Sequence, residues 1–349
     1  MVTTERRTID RQTGVISTLA FDGGNTGIKF AYAGSDETGY MPSVIKELDL
    51  DMYDVSYPTD DPNSAIVEFA GATYAVGALA AMMGGSPVFE LGKPEFTPLL
   101  FMAALRGVEE FSRCPVIEQL NILVPDARRQ WLENVWNPVA DQIMDIQSFR
   151  VNGQEIQPQV RNVTFISEGV PAFQWAMQEG LFGEFINTPG INQMGVLDIG
   201  GGETTFKLFD SRTGQINWDA EVTLPGLNAL ALSIANRLKS QAGFVMTPDT
   251  SDILRCLSIK HYVYEVPGAG GVDFEQQYLD ARKNWAKLIL QKLAHSVTQQ
   301  GVGGVVIVGG GAHHAEGLEI ATKGRFFVAS EESTGINPRY INAIALSEM

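Results

Sequence analysis

The sequence predicts an α/β protein of two lobes, each built on a mixed β-sheet. Three observations carry that reading. The chain has 349 residues, too many for one ordinary core and enough for two lobes of common size. Short apolar, β-branched runs alternate with longer helical stretches, and tight hairpin signals add antiparallel pairs to what crossover helices would make parallel. The third observation is a passage that occurs nearly twice. Phe21-Asp22-Gly23-Gly24-Asn25-Thr26-Gly27-Ile28-Lys29 and Leu197-Asp198-Ile199-Gly200-Gly201-Gly202-Glu203-Thr204-Thr205-Phe206-Lys207 share one order: apolar run, Asp, glycine-rich turn with hydroxyls, Lys.

In chain order, residues 1–15 are polar and read as a tail. Thr18–Phe21 and Ile28–Ala33 are strands joined by the first glycine turn. Residues 49–64, rich in Asp, Pro and Ser, form a loop, and runs at 65–70 and 73–76 flank Gly71 as a hairpin. Thr97-Pro98 starts a helix to Phe111, with Pro98 in its first turn. Leu120–Val124 is a buried strand. Residues 127–143 are helical, and Pro138 should break or kink them. Asn152-Gly153 marks a two-residue hairpin. Val163–Ile166 is a strand leading through Glu168 into a helix that opens near Pro171. The second glycine hairpin spans 195–209. Helices follow at 226–241, 250–257 and 274–297, with 258–271 as a glycine-containing connection. Val305–Val308 is a buried strand ending in Gly309-Gly310-Gly311, followed by a helix to about Ile320. Phe326–Val328 is a last strand, and Asn337-Pro338 caps a final helix.

Composition narrows the function classes. With 44% apolar residues, the chain is of soluble globular type, and no window approaches the ~18 uninterrupted apolar residues of a membrane span. The polar start lacks the apolar core of a secretory signal. Cys114 and Cys256 stand far apart with no metal-ligand spacing and read as reduced thiols, which places the protein in the cytoplasm. The net charge of −16 argues against a direct grip on a nucleic-acid backbone, which needs a basic surface.

Three glycine segments bear chemistry. In the first, glycines let backbone N–H groups converge on a phosphate, Asn25 and Thr26 add donors, and Lys29 adds a positive charge. Asp22 at the strand end suits a hydrated Mg2+, which keeps several waters and takes few carboxylates. An ordinary hairpin turn would explain the same residues taken alone. The same argument applies to Asp198, Gly200, Gly201, Gly202 and Thr204, and three successive glycines exceed what a tight hairpin needs. Lys207 stands nine residues after Asp198, against seven from Asp22 to Lys29, and reads as structural. Gly309, Gly310 and Gly311 end a buried strand, where a ligand ring could approach the backbone. The spacing is not that of a dinucleotide fingerprint. His313 and His314 just beyond read as surface residues of a helix start. Glu168 before Pro171 either serves the helix dipole or orients a water for attack on a γ-phosphate.

These residues resemble a known superfamily. Asp22 to Lys29 is similar to the first phosphate loop of actin-like ATPases, Asp198 to Thr205 to the second, and Ile307 to Ala312 to the adenosine segment. Within that superfamily the chain most resembles the bacterial plasmid-segregation actins, the ParM/StbA family, through Ile166-Ser167-Glu168-Gly169-Val170-Pro171-Ala172, Tyr74–Ala80, Leu224–Asn228 and the C-terminal Asn337–Ala343. Phe206-Lys207 departs from the acid often found there. The resemblance implies an actin-like two-lobe fold, with lobe I at 1–190 plus 326–349, an insert subdomain at about 38–97, and lobe II at 191–325. It implies ATP or GTP with Mg2+ in a cleft between the lobes. Asp22 and Asp198 would hold the metal, with Glu168 and Asp198 in catalysis. It further implies head-to-tail filaments and a DNA-bound adaptor on a centromere-like site, with no membrane and no direct nucleic-acid contact. A non-filamentous nucleotide-binding scaffold and a small-metabolite kinase are the alternatives on the same fold.

Overall fold

A computed structural model describes residues 13–35, 37–49, 61–106, 112–242, 247–266, 270–298 and 301–349. Most of the expected N-terminal tail, much of the 49–64 loop and the end of the helix expected at 99–111 lie outside the described residues. The chain forms two compact units, one of residues 1–172 and 340–349 and the other of residues 173–339.

In the first unit the strands are β1 (Val15–Gly23), β2 (Gly27–Tyr32), β3 (Thr38–Pro42), β4 (Val44–Glu47), β5 (Ser64–Phe69), β6 (Ala72–Gly77), β7 (Ser86–Pro87), β8 (Val116–Val124), β9 (Phe149–Val151), β10 (Gln154–Ile156), β11 (Gln159–Val160) and β12 (Val163–Ser167). One sheet joins β1, β2 and β3 as an antiparallel meander, then adds β8 parallel to β1 and both β11 and β12 parallel to β8. A second sheet runs β10-β9-β5-β6-β4-β7. It therefore draws on the 149–156 hairpin as well as on the expected insert, whose first strand, β3, belongs to the other sheet.

The second unit contains β13 (Gln193–Ile199), β14 (Glu203–Asp210), β15 (Ile216–Pro225), β16 (Val263–Val266), β17 (Gly270–Asp273), β18 (Val302–Val308) and β19 (Phe326–Val328). Its main sheet repeats the plan of the first. β13, β14 and β15 form an antiparallel meander, β18 runs parallel to β13, and β19 runs parallel to β18. Both repeated hairpins thus join the first two strands of equivalent sheets.

Each sheet buries its faces against helices. Ile16, Leu19, Phe21, Ile122 and Val124 pack with the helix Lys93–Ala104 in the first unit. Leu197, Ile199, Phe206, Val305 and Ile307 pack with Leu227–Ala242 and Glu275–Thr298 in the second. The final helix, Ile341–Ser347, returns to the first sheet, where Ala343 and Leu346 meet Ala20, Ala31 and Leu123. Asn121 Nδ2 donates to the Leu346 carbonyl at 2.9 Å.

Several boundaries differ from expectation for identifiable reasons. The first crossing falls at 172/173, not 190/191, because Phe173 stacks on Phe209 with ring centroids 4.5 Å apart. The return begins at Tyr340, not 326, because Phe326–Val328 is β19 of the second sheet. The helix expected to open at Thr97-Pro98 starts at Lys93 with Pro94 in its first turn, and Pro98 sits inside it, costing one backbone bond in the second turn. Pro138 lies in the first turn of Asn137–Met144, and the π-helical stretch Leu132–Trp136 absorbs the missing donor. In the region expected as a connection at 258–271, β16 and β17 pair antiparallel.

Candidate functional site

Asp22 and Lys29 are cross-strand partners in the β1–β2 register. Their side chains therefore share a face, and Lys29 Nζ lies 2.9 Å from Asp22 Oδ2. Asp22 is buried. A Cβ at Gly24 would stand 2.7 Å from Lys29 Nζ and 2.8 Å from the Gly27 carbonyl oxygen; any side chain there would displace the charged pair. Behind the turn, buried Ser43 holds it from one side. Its hydroxyl donates to the Gly24 carbonyl at 2.5 Å, and its N–H donates to the Thr26 carbonyl at 3.2 Å.

The second turn is held the same way by another segment. The N–H groups of Gly226, Leu227 and Asn228 donate to the carbonyls of Gly202, Gly200 and Gly201 at 3.1, 3.1 and 2.8 Å. These donors open the helix Leu227–Ala242, whose first N–H groups lack intrahelical acceptors. A Cβ at Gly226 would come within 2.6 Å of two of those carbonyl oxygens, so the approach requires glycine. In a trans peptide the N–H points opposite to the C=O, and the described residues contain no cis bond. With three carbonyls turned to the helix, the N–H groups of Gly201, Gly202 and Glu203 face the other way. In the first turn the same logic turns the N–H groups of Asn25 and Gly27 away from Ser43. Each hairpin thus sets backbone donors turned from its supporting segment next to one carboxylate, and successive backbone N–H groups of this kind can bind anions.

Asp198 pairs in register with Thr205 on β14 and Val308 on β18. Gly309 follows Val308 with φ of +93°, and a Cβ there would collide with Asp198 Oδ1 and the Ile199 backbone. The N–H of Gly311 donates to the Ile199 carbonyl at 2.9 Å, tying the third glycine segment to the second. Gly310 lies beside the Arg339 side chain. Thr204 is fully buried and its hydroxyl donates to the Pro225 carbonyl at 3.4 Å, a contact that supports the turn from behind. Lys207 is buried against Glu221 at 3.3 Å and lies under the Trp218 ring.

Glu168 follows β12, and its N–H donates to the Val124 carbonyl at 2.7 Å. Asp22, Val124 and Ser167 mark the C-terminal ends of three adjacent parallel strands, the edge where open α/β sheets place ligands. The structure therefore gathers Asp22, Lys29 and Glu168 at one edge of the first unit. It gathers Asp198 and the Gly200–Gly202 and Gly309–Gly311 segments at the matching edge of the second.

Sequence reasoning missed several participants. Lys93 Nζ lies 3.6 Å from Glu168 Oε1, and its Cε neighbours Gly23. No motif around Lys93 announces this. Ser43 and Gly226 were likewise unmarked, although Leu224-Pro225-Gly226 was noticed as a segment. Of the two histidines expected at the surface, His313 is half-buried and His314 fully buried. His314 is buried, its Nδ1 lies 2.9 Å from Tyr278 Oη, and Arg282 Nε donates to its carbonyl at 2.8 Å. Burial, assisted by His313, Arg282 and Lys260, pushes the His314 imidazole down to about 3, and burial pushes Tyr278 up to about 12. Apolar positions at Ala312 and Ala315 frame the turn and were the available signal for its burial.

No model of a known protein family matches the chain, and no curated protein matches its sequence. Solved structures do match. The archaeal actin homologue Ta0583 superposes with a TM-score of 0.72 at 13% identity, covering 95% of this chain and 98% of that one. A non-polymerisable quadruple mutant of pCBH ParM gives 0.68 at 16% identity over 95% and 98%. A 15-stranded ParM filament from Clostridium botulinum gives 0.66 at 15% identity over 95% and 97%. Ta0583 has also been solved in complex with ADP. The chain has the actin-like fold.

Proposed function

We propose that this protein is a nucleotide-dependent, filament-forming NTPase of the actin-like type. One observation carries the reading: two equivalent sheets each present, at the same point, a glycine turn whose carbonyls are held by a supporting segment, beside a strand-end aspartate. Each turn serves as a phosphate-binding element for ATP or GTP. Gly23, Gly24, Asn25 and Thr26 act with Lys29 in the first turn, and Gly200, Gly201 and Gly202 in the second. Gly309, Gly310 and Gly311 give the nucleoside close access to the backbone.

The residues fit a hydrated Mg2+ as well. Asp198 stands beside Gly309, whose missing Cβ leaves the carboxylate its place, Asp22 sits at the matching strand end of the first unit, and few direct carboxylates are what this ion takes. When bound, Mg2+ neutralises charge on the phosphate oxygens. Glu168 orients the water for in-line attack on the γ-phosphate and accepts its proton. Lys29 and the turn amides hold the phosphates in place.

The solved ParM filament and the ADP-bound archaeal homologue support assembly and nucleotide binding for this fold. Head-to-tail contacts between identical subunits do not close and so build open filaments. In this reading a DNA-bound adaptor supplies the cargo contact that an acidic chain does not make itself, as in plasmid segregation in the cytoplasm. Among the described residues no helix is long and apolar enough to cross a membrane.

Right-angle light scattering of the purified chain with Mg-ATP and with Mg-GTP tests the proposal. A nucleotide-dependent rise that decays as phosphate is released supports it. Saturable nucleotide binding with no rise at any protein concentration contradicts assembly and leaves a nucleotide-binding scaffold. Glu168→Ala is expected to bind nucleotide and lose at least about 100-fold in turnover; turnover at the parent's rate would remove Glu168 from the mechanism.

A further inference from the structure

The carboxylate of Glu168 forms an ion pair with Lys93, Nζ to Oε1 at 3.6 Å. Both side chains are largely buried, 14% exposed for Lys93 and 24% for Glu168, so water screens their attraction less than it screens a surface pair. Lys93 itself is anchored. It is the first residue of the helix Lys93–Ala104 and follows Gly92, whose φ of +109° suits only glycine. Its aliphatic stem passes beside Gly23, the residue after Asp22.

Local rules disfavour this placement. A cation at a helix N-terminus opposes the helix dipole, and the same first turn carries the acid that the rule prefers, Glu95. A residue that breaks a local rule where the rest of its element obeys it marks a functional constraint. The distance is also informative. At 3.6 Å the ammonium steers the carboxylate by charge but lies beyond hydrogen-bond reach, so the Glu168 oxygens keep their lone pairs for a water.

We propose that Lys93 is the positioning residue of Glu168. It holds a three-torsion side chain over the first glycine turn without consuming its acceptor sites. The inference rests on the nucleotide-hydrolase reading above and assigns to Lys93 a role that acts through Glu168.

The test is a double-mutant cycle on the full chain with Lys93→Met, Glu168→Gln and the double variant. Nucleotide Kd, turnover and thermal midpoint are measured for each. Lys93→Met is expected to leave Kd within about threefold, lower kcat about 10- to 100-fold, and reshape the acid limb of the kcat–pH profile. Lys93→Arg is expected to restore most of the rate. Because Lys93 acts only through Glu168, the double variant should be no slower than Glu168→Gln. Multiplicative losses would overturn the inference, because Lys93 would then act independently. So would an unchanged rate in Lys93→Met, or a rate loss matched by a collapse of its thermal midpoint that Lys93→Arg does not share. A parent protein that binds nucleotide and shows this lack of coupling fails here alone. A parent that binds no nucleotide fails at the reading on which the inference rests.

Discussion

At the scale of single residues, the glycines next to the two aspartates carry the most information. Gly309 has a positive φ and no room for a Cβ beside Asp198. Gly309→Ala is therefore expected to destabilise the fold by about 3 kcal/mol, read as a shift in the urea midpoint, and to weaken nucleotide binding. His314 makes a separate prediction. The unfolded chain protonates it below the ordinary value of 6.5, whereas the folded protein does not until about 3. Its contribution to stability is complete above pH 6.5 and falls as pH drops toward 3, by roughly 2 kcal/mol at pH 5. His314→Gln should shrink the stability difference between pH 7 and pH 5 by about that amount. The pairing of Asp22 with Lys29 was legible as a spacing of seven, because a hairpin turns spacing into cross-strand register. Lys93 was not legible: it reaches Glu168 from a residue 75 positions earlier in the sequence, and only the fold brings the two together.

At the scale of elements, Lys207 shows how the second hairpin differs from the first. Its ammonium is buried at a register shift between β14 and β15, with Glu221 at 3.3 Å. Glu221→Gln removes the carboxylate partner of a buried cation and should cost about 2–3 kcal/mol. Lys207→Met, which removes the charge but keeps the volume, should stay within about 1 kcal/mol of the parent. Chemical denaturation of the two variants checks both. Strand and helix types were largely readable from periodicity. Boundaries were less so where proline was concerned. Pro98 was read as a helix start, but Pro94 four residues earlier already takes that place, and burial of Leu99 to Ala104 keeps the helix intact through Pro98. The β16–β17 pair escaped notice because Gly270 and Gly271 resemble a connection, and its pairing depends on facing strands rather than on local pattern.

At the scale of the whole molecule, the repeated passage proves to be the visible part of a repeated topology. A three-stranded meander extended from its first strand by parallel strands occurs once in each unit, and sequence similarity survives only at the glycine hairpins. The strands around them need only be apolar and β-branched, so many residues serve there, whereas a turn that exposes backbone donors admits few. That difference explains why the fold and the two glycine turns stood out in the chain, while the unit boundaries did not. Phe173 and Phe326 belong to the second unit through ring stacking and strand pairing, contacts that leave no periodic trace. The central proposal is that both turns, through their aspartates, take part in binding a Mg-nucleotide. Equilibrium titration of the parent and of the doubly substituted Asp22→Ala, Asp198→Ala chain with Mg-ATP and Mg-GTP tests it most directly. One saturable site per chain, lost in the double variant with its thermal midpoint preserved, is the predicted result. No saturable binding by the parent, or binding of equal affinity without both carboxylates, would contradict it.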